Sequence, residues 1–223
     1  MEISYWQSRW HKDNTGWQMD EVYPLLPTLW NRRSLKSQAR VLVPLCGNSP
    51  DLHWLAEQGH TVIGIDVSGK ALRRTMRDHP AKFTEETSYG FTVYRSQQME
   101  LWEGDFLKLP ARTITTPDVI YDKAAIVALP PEMRTTFAQK VMELSNPNTQ
   151  LLVQTFEYEQ HEMSGPPFSV GRNEIEQYYG DRFSITPVHE QSRLQDMAKF
   201  RQRGLSSYFI EKVYHLSPVH RDS

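Results

Sequence analysis

Two residues nineteen positions apart, Gly47 and Asp66, have the spacing of a nucleoside-binding pair. Each follows an apolar run that predicts a strand buried on both faces of a parallel sheet. A carboxylate at the tip of such a strand can accept two hydrogen bonds from a ribose diol, and a glycine lets the backbone approach the ligand. The same spacing fits a plain glycine turn in which Asp66 caps the turn after its strand, so both interpretations stay open at this point.

The glycine fingerprint of dinucleotide-binding proteins, G-x-G-x-x-G, is missing from the loop Cys46-Gly-Asn-Ser-Pro50. The additional glycines of that fingerprint let a helix N-terminus approach a pyrophosphate. A nucleoside cofactor without phosphates does not need them, and S-adenosylmethionine is the common cofactor of that kind. The loop therefore favours S-adenosylmethionine, and a nicotinamide-dependent oxidoreductase is the weakest rival function.

Two further strand ends carry polar residues that we expect at the same edge of the sheet. In Glu103-Gly-Asp-Phe106, Asp105 or its backbone can meet an adenine amino group while Phe106 flanks the ring; the alternative is a solvated turn acid. Tyr121-Asp-Lys123 ends another predicted strand. Three strand ends that finish in polar or acidic residues predict a cofactor crevice at the carboxyl edge of the sheet.

The elements that must position these residues alternate between strands and helices, which predicts an α/β fold with a doubly wound, mainly parallel sheet. The predicted strands are Arg40–Leu45, Thr61–Ile65, Phe91–Tyr94, Glu100–Trp102, Val119–Tyr121, Leu151–Phe156, Phe183–His189 and Tyr208–Leu216. The predicted helices are Asp51–Gln58, one that Ser68 caps, Pro131–Leu144 and Glu174–Tyr179. The stretch before the final strand is too short for a comfortable crossover, so that strand is predicted to be antiparallel.

The composition of the 223-residue chain is that of an ordinary globular protein, and we expect one domain over residues 1–223. With 25 Lys and Arg against 27 Asp and Glu, the net charge of −2 indicates a small-molecule partner and no nucleic acid or membrane surface. No apolar run approaches the roughly 18 residues of a membrane span, and we expect no secretory leader. The single cysteine, Cys46, excludes an intrachain disulfide and favours the cytoplasm, and no Cys/His spacing indicates a metal. We expect a monomer.

Ordered motifs along most of the chain resemble one family, thiopurine S-methyltransferase and its bacterial relatives. The P-L-C-G loop around Cys46 is the most specific of them, and three of the six tryptophans lie in the N-terminal motif. The motifs are Trp6-Gln-Ser-Arg-Trp10 with Thr15-Gly-Trp17, Val43-Pro-Leu-Cys-Gly47, Val62-Ile-Gly-Ile-Asp66, Gly104-Asp-Phe106, Tyr121-Asp-Lys-Ala-Ala125, Gly165-Pro-Pro-Phe-Ser-Val170 and Glu211-Lys-Val-Tyr214. Accident does not explain so many matches in the expected order.

The resemblance implies a Rossmann-like class I methyltransferase, with a doubly wound, mostly parallel, seven-stranded sheet whose last strand is antiparallel. It implies S-adenosylmethionine as cofactor and residues 1–35 as a lid segment, with Asp66 on the ribose. The cofactor-binding residues that it implies are Trp6, Trp10, Leu45, Gly47, Asp66, Gly104, Asp105 and Lys123. The acceptor-binding residues that it implies are Trp17, Lys123, Pro166, Phe168 and Lys199, with Met163–Val170 as part of the acceptor wall.

Three positions depart from the family pattern. Asn48 stands where relatives commonly carry lysine, with little expected consequence. Lys123 and Lys199 stand where the family places arginines that contact the thiopurine, although counting from the closing Glu-Lys motif shifts the second position by one. Because lysine lacks the planar fork of arginine, thiopurines are expected to be poorer acceptors here than in relatives.

No protein nucleophile is expected, because a thiolate can displace a sulfonium methyl group directly and the protein need only position the two. We expect Lys123 to favour the anionic acceptor thiol, since a nearby positive charge lowers the pKa of an acid. The alternative for Lys123 is an ion pair with Asp118 or Asp122. Cys46 is expected to be a small buried residue and not a catalytic thiol.

The predicted function is methyl transfer from S-adenosylmethionine to the sulfur of a thiopurine or a related small aromatic or heterocyclic thiol. One alternative is methylation, by the same fold, of small selenium, tellurium or sulfur anions, which suit a lysine-lined site; a halide or another small thiol is also compatible. A second alternative, from a different class, is an S-adenosylmethionine-binding protein without catalysis.

Overall fold

The computed structural model describes residues 3–32, without the Arg32 side chain, and residues 35–219. Positions 1, 2, 33 and 34 of the predicted lid segment lie outside the described residues, as do positions 220–223. The chain divides into two compact units, residues 1–120 and 121–223.

The described residues form an α/β structure of nine strands and seven α-helices. The strands are β1 Arg40–Pro44, β2 Thr61–Asp66, β3 Thr84–Ser88, β4 Phe91–Arg95, β5 Met99–Glu103, β6 Val119–Lys123, β7 Gln150–Glu157, β8 Phe183–Ser192 and β9 Ile210–Pro218. The helices are α1 Ile3–His11, α2 Leu26–Arg32, α3 Pro50–Glu57, α4 Gly69–Asp78, α5 Pro131–Leu144, α6 Arg172–Tyr179 and α7 Ala198–Arg201. None of these helices is long and apolar enough to cross a membrane.

The strand order is β3-β4-β5-β2-β1-β6-β7-β9-β8. The central strands are parallel, β1 with β2 and β6, and β2 with β5. The final strand, β9, runs antiparallel to both β7 and β8, as predicted. The predicted fold class is confirmed, and the sheet has nine strands, two more than the seven that the family resemblance implies.

The β3–β4 hairpin accounts for the larger sheet. The turn between the two strands uses Tyr89 and Gly90, both in the left-handed region with φ of 51° and 82°, as tight hairpin turns require. Four of the five β3 residues are exposed, so the strand has no buried face. An exposed strand lacks the alternation of apolar and polar residues that reveals strands in a sequence, and for this reason β3 was not predicted.

Capping residues start the two helices that follow the carboxyl ends of β1 and β2. Ser49 Oγ accepts the Asp51 N–H at the start of α3, 3.3 Å apart, and Ser68 Oγ accepts the Ala71 N–H at the start of α4, 3.2 Å apart. The predicted cap at Ser68 is thus confirmed, and Gly59 ends the α3 region with φ +85°. Helix α3 therefore begins three residues after Gly47, and α4 begins three residues after Asp66.

In the second unit, a cluster of apolar residues anchors the chain on both sides of the predicted acceptor wall. Its buried members, which we call the Phe209 cluster, are Tyr158, Met163, Leu205 and Phe209. The Tyr158 and Phe209 rings stack at 5.8 Å between centroids. Because Tyr158 and Met163 belong to this cluster, the loop that begins at Met163 starts from a fixed point.

Candidate active site

Asp66 lies at the end of β2 with its carboxylate turned toward residues 45–49, the loop between β1 and α3 that we call the glycine loop. Its side chain is 6% exposed, and its two oxygens accept the N–H groups of Gly47 and Ser68, each at 2.8 Å. Burial raises the pKa of Asp66 to about 6, against the lowering effect of these two backbone hydrogen bonds. The carboxylate lies beside Gly47, as a nucleoside-binding pair requires, and it also accepts a hydrogen bond from the turn after its strand, as a capping residue does. Both interpretations of the sequence therefore describe part of its environment.

The glycine loop has a backbone conformation that only a few residue types adopt readily. Gly47 has φ +55°, and a Cβ built at this position would lie 2.9 Å from Cζ2 of Trp10. Leu45, two residues earlier, is also left-handed, with φ 49°. A left-handed non-glycine residue stores backbone strain that the surrounding structure must hold. The loop therefore depends on left-handed backbone conformations and has no room for a side chain at Gly47.

The end of β5 adjoins Asp66 through its backbone. Gly104 donates its N–H to the Asp66 carbonyl at 2.9 Å, and a Cβ at Gly104 would overlap the Phe91 ring. Asp105 Oδ1 accepts the Leu107 N–H at 3.0 Å and so caps a short 3₁₀ turn. This capping matches the alternative of a turn acid, and it leaves the Asp105 backbone at the same strand edge as Asp66.

The N-terminal tryptophans form one edge-to-face cluster. The Trp17 ring lies 5.2 Å from Trp6 and 6.0 Å from Trp10, measured between centroids, and both pairs are nearly perpendicular. Trp10 is 2% exposed because it packs on Gly47, whereas Trp17 is 42% exposed. The Arg9 guanidinium lies 5.5 Å from the Trp17 ring. The cluster thus extends from the glycine loop to an exposed aromatic surface.

Ion pairs fix this N-terminal segment to α4. Lys70 Nζ lies 2.9 Å from Asp13 Oδ1, and Arg74 also bonds to the Asp13 carboxylate. Hydrogen bonds from Lys70 and Arg74 lower the pKa of Asp13. Gln7 Nε2 donates to the Val67 carbonyl at 3.2 Å, next to Asp66. The segment predicted to be a lid is therefore docked on the helix that follows Asp66.

Asn48, the first departure from the family pattern, joins the glycine loop to its surroundings. Its side-chain oxygen accepts the Thr75 hydroxyl of α4 at 2.9 Å. Its carbonyl oxygen accepts a hydrogen bond from the Gln18 side chain. An amide at this position thus serves as an acceptor for α4, a role that a lysine could not fill.

In the second unit, Lys123 is the last residue of β6 and precedes a turn in a strained conformation. Ala124 has φ 57°, and Asp122 Oδ1 accepts the N–H groups of Ala125 and Ile126 at 2.7 and 3.2 Å. Burial raises the pKa of Asp122 to about 7. The carboxylate of Asp118, the other partner considered for Lys123, accepts hydrogen bonds from Lys36 Nζ and the Arg40 N–H.

The predicted acceptor wall, Met163–Val170, is held by hydrogen bonds from several directions. Phe168 donates its N–H to the Val127 carbonyl at 2.7 Å. The Tyr158 hydroxyl donates to the Pro167 carbonyl at 2.7 Å. Arg203 donates to the carbonyls of Gly165 and Pro166, both at 3.1 Å. These bonds set the positions of Pro166 and Phe168, both partly buried.

The exposed Lys199 lies on α7, just before the turn that carries Arg203. Glu162 ties this turn to the start of the acceptor wall, because its carboxylate accepts the N–H groups of Ser206 and Ser207 at 2.8 and 3.0 Å. These backbone hydrogen bonds lower the pKa of Glu162 to about 2. The second unit therefore joins the segment around Lys199 to the loop of Pro166 and Phe168.

Sequence reasoning missed Arg134, which is 2% exposed. Its Nε donates to the Leu129 carbonyl at 2.9 Å, and its Nη1 bonds to Glu174 and to the Ser169 carbonyl. The signal was present in the sequence: Arg134 shares the buried face of α5 with Phe137, Ala138 and Val141. A single charged residue at helical spacing on an apolar face indicates a buried, partnered charge.

The structure brings the predicted site residues together in two groups, one in each unit. In the first unit, Asp66 is hydrogen-bonded to Gly47 and Gly104, and Trp10 packs against Gly47. In the second, Phe168 is hydrogen-bonded to the segment that follows Lys123, and Arg203 joins the α7 region to Pro166.

Comparisons with known proteins give these groups a family. A sequence profile described as Thiopurine S-methyltransferase matches residues 1–218. A thiopurine S-methyltransferase of Pseudomonas putida is 39% identical over 217 residues, which are 97% of this chain and 100% of that relative. The chain belongs to the thiopurine S-methyltransferase family. A second family member, the thiopurine S-methyltransferase of Vibrio campbellii, is 38% identical over 211 residues, 94% of this chain and 95% of that relative.

A solved structure supports the fold of this family member. The Burkholderia thailandensis 1,6-didemethyltoxoflavin-N1-methyltransferase, with S-adenosylhomocysteine bound, superposes with a TM-score of 0.61 at 16% identity, covering 96% of this chain and 87% of that chain. The fold is therefore that of class I methyltransferases. As a member of the thiopurine S-methyltransferase family, the protein is an S-adenosylmethionine-dependent methyltransferase. The expected family, fold class, enzyme class and cofactor are confirmed.

The residues of the first unit fit this cofactor. The buried Asp66 carboxylate can accept further hydrogen bonds, because each of its oxygens has a second lone pair beyond the one used by a backbone N–H. The left-handed Gly47 presents backbone, with no side chain, at the adjoining loop. An acidic acceptor beside a stretch of backbone that carries no side chain suits the diol and the neutral adenosine of S-adenosylmethionine.

Proposed function

We propose that the protein transfers the methyl group of S-adenosylmethionine to the sulfur of a thiopurine or a related small aromatic or heterocyclic thiol. The observation that carries the proposal is the family match over residues 1–218. One aromatic residue in each unit supports the proposal. Trp17 is 42% exposed near the glycine loop, and Phe168 is fixed in the predicted acceptor wall. Flat apolar rings of this kind suit a flat heterocyclic acceptor.

In this function, the Asp66 carboxylate accepts hydrogen bonds from the ribose hydroxyls of the cofactor, and the glycine loop lies beside the cofactor. When bound, S-adenosylmethionine supplies an electrophilic methyl group on its sulfonium. Trp10, packed on Gly47, keeps water from the loop. The residues proposed to bind the cofactor are Trp6, Trp10, Leu45, Gly47, Asp66, Gly104, Asp105 and Lys123.

For the acceptor, the protein's work is positioning and charge. A thiolate is already a strong nucleophile, so holding the sulfur in line with the methyl group supplies most of the effect. The positive charge of Lys123 favours the thiolate over the thiol. The residues proposed to contact the acceptor are Trp17, Lys123, Pro166, Phe168 and Lys199.

A second candidate function is methylation of small selenium, tellurium or sulfur anions. The observation that favours it is the pair of lysines, Lys123 and Lys199, at positions where the family resemblance implies arginines. The ammonium group of a lysine attracts a compact anion as a point charge, whereas the arginine fork suits a planar heterocycle. In both versions we propose a single catalytic domain that acts as a monomer in the cytoplasm, where the buried thiol of Cys46 would stay reduced.

A transfer assay with a labelled methyl group tests the proposal. The acceptors are 6-mercaptopurine, thiophenol, selenite, tellurite and hydrogen sulfide. Binding of S-adenosylmethionine to the protein is measured in parallel by calorimetric titration. Transfer to the aromatic thiols is expected, with 6-mercaptopurine poorer than thiophenol. Transfer to the inorganic anions alone would select the second candidate. Cofactor binding without any transfer would identify a protein that binds the cofactor without catalysis.

Gly47→Ala is expected to weaken S-adenosylmethionine binding roughly tenfold, because the new Cβ would lie 2.9 Å from Trp10 and displace the loop backbone. Gly59→Ala is the matched control, since Gly59 also has a left-handed φ of +85° but nothing lies within 4 Å of its added Cβ. Calorimetric titration of both variants checks the prediction. The control is expected to lose stability only, so equal affinity losses in the two variants would contradict the role given to the Gly47 loop.

A further inference from the structure

We propose that Arg134 is a positioning residue for the acceptor, which acts by fixing Phe168 in the acceptor wall. This inference rests on the proposed function, in which Phe168 contacts the acceptor. It concerns a residue of α5 whose hydrogen-bond partners Leu129, Ser169 and Glu174 lie in the second unit.

The hydrogen bonds of Arg134 connect three segments. Nε donates to the Leu129 carbonyl at 2.9 Å, and Nη1 donates to the Ser169 carbonyl at 3.3 Å. Nη1 also lies 2.7 and 2.9 Å from the two oxygens of the Glu174 carboxylate, on α6. The guanidinium thus joins the turn that follows β6, the acceptor wall and α6.

Phe168 is held on two sides by these contacts. The Arg134 Cζ lies 5.8 Å from the Phe168 ring centroid, within the range of cation–π attraction. On another side, the ring packs against Gly165, where a Cβ would lie 2.6 Å from Phe168 Cδ1. The Phe168 N–H bonds to the Val127 carbonyl, in the same short turn whose Leu129 carbonyl accepts from Arg134. Arg134 and Phe168 are therefore both hydrogen-bonded to the same turn, which closely follows Lys123 in the chain.

The chemistry of this position requires an arginine. Only a planar guanidinium offers donors in several fixed directions at once, and a lysine ammonium cannot bond two carbonyls and a carboxylate in this arrangement while lying over a ring. Arg134 Nη2 is buried and has no hydrogen-bond partner among the residues that the structure describes. Apolar residues of similar volume often stabilise a protein as well as a buried ion pair, or better. A buried charge with an unused donor therefore indicates a role beyond stability.

The test compares Arg134→Lys with Arg172→Lys, a control in the same unit whose guanidinium pairs with Glu176 on an exposed face. Steady-state kinetics are measured with thiophenol and S-adenosylmethionine, together with the melting temperature. For Arg134→Lys the KM for thiophenol is expected to rise about tenfold, the equivalent of one lost hydrogen bond to a charged group. The kcat and the dissociation constant of S-adenosylmethionine are expected to stay within about twofold of wild type. The control is expected to match wild type.

A double-mutant cycle with Phe168→Leu checks that Arg134 acts through the ring. The two changes are expected to be less than additive in the KM for thiophenol, and full additivity would overturn the inference. If Arg134→Lys does not fold, Glu174→Gln replaces it, since it removes the ionic partner of Arg134 and leaves both carbonyl bonds; the same selective rise is expected. Equal loss of cofactor and acceptor affinity, or no change in KM, would refute the role of Arg134. Failure of the wild-type protein to methylate any thiol would refute the proposed function itself.

Discussion

Asp66→Asn is expected to weaken S-adenosylmethionine binding roughly a hundredfold. A hydrogen bond to a charged group contributes about 1.5–3 kcal/mol, and about 1.4 kcal/mol corresponds to a factor of ten in affinity. The Asp66 carboxylate already accepts the N–H groups of Gly47 and Ser68. Asparagine keeps one acceptor oxygen but turns an NH₂ donor toward one of these N–H groups, so it loses both the charge and the loop geometry.

Asp51→Asn is the matched control for this change. Asp51 is also fully buried in the first unit, and its Oδ1 accepts the Tyr23 N–H at 2.7 Å. The same chemical change there removes a buried carboxylate that bonds to Tyr23, a residue outside the proposed cofactor-binding set. Calorimetric titration is expected to show near wild-type affinity for Asp51→Asn. Equal losses in the two variants would mean that Asp66 acts only on stability.

The pH dependence of binding gives Asp66 a second signature. Because burial raises its pKa to about 6, the carboxylate is ionised above that pH and becomes protonated below it. The ionised form is the one that accepts two hydrogen bonds from a diol, so a proton competes with the cofactor. The affinity for S-adenosylmethionine is therefore expected to be flat above about pH 6 and to fall below it in wild type. In Asp66→Asn that fall is expected to disappear.

Lys123→Met is expected to lower kcat/KM for a weakly acidic thiol roughly ten- to a hundredfold at neutral pH. A neighbouring positive charge lowers the pKa of an acid by about one to three units, so its removal leaves more of the bound acceptor as the unreactive thiol. A suitable acceptor is 2-mercaptoethanol, because an alkyl thiol of this kind is almost wholly protonated at neutral pH. The midpoint of the pH–rate profile is expected to move upward by about one unit or more.

Lys140→Met is the charge-matched control for this prediction, since Lys140 pairs with Glu143 on α5, 2.5 Å apart. It is expected to leave the pH–rate profile of the wild type unchanged. Lys123→Arg adds a further comparison: the planar fork is expected to improve 6-mercaptopurine relative to 2-mercaptoethanol. An unchanged rate and an unchanged pH profile in Lys123→Met would remove Lys123 from the proposed chemistry.

Local patterns in the sequence were enough to predict the core of the cofactor site. The runs that became β1 and β2 are buried along almost their whole length, and such runs are recognisable without a structure. The spacing of Gly47 and Asp66 predicted a pair, and the structure places the Gly47 N–H 2.8 Å from Asp66 Oδ2. Ser68 was likewise predictable as a cap, because capping depends on residues only a few positions apart.

Features that depend on distant residues could not be predicted in this way. Arg134 bonds to Ser169 and Glu174, 35 and 40 positions away, so its partners are not visible in a local pattern. Asp13 pairs with Arg74 across 61 positions, which is why the docking of the N-terminal segment had to come from the structure. The exposed strand β3 has no buried face to mark it. For Arg134 and Asp13, partners that are distant in the sequence determine the environment of the side chain.

The most direct test of the proposed function is product analysis after incubation of the protein with thiophenol and S-adenosylmethionine carrying a ¹³C-labelled methyl group. NMR distinguishes a methyl group on sulfur from one on oxygen or nitrogen. The labelled methyl group is expected to appear as a methyl thioether. At a cofactor concentration below the wild-type dissociation constant, Asp66→Asn is expected to slow its formation strongly and Asp51→Asn to leave it unchanged. Cofactor binding without a labelled thioether would contradict the assignment of sulfur as the methyl acceptor.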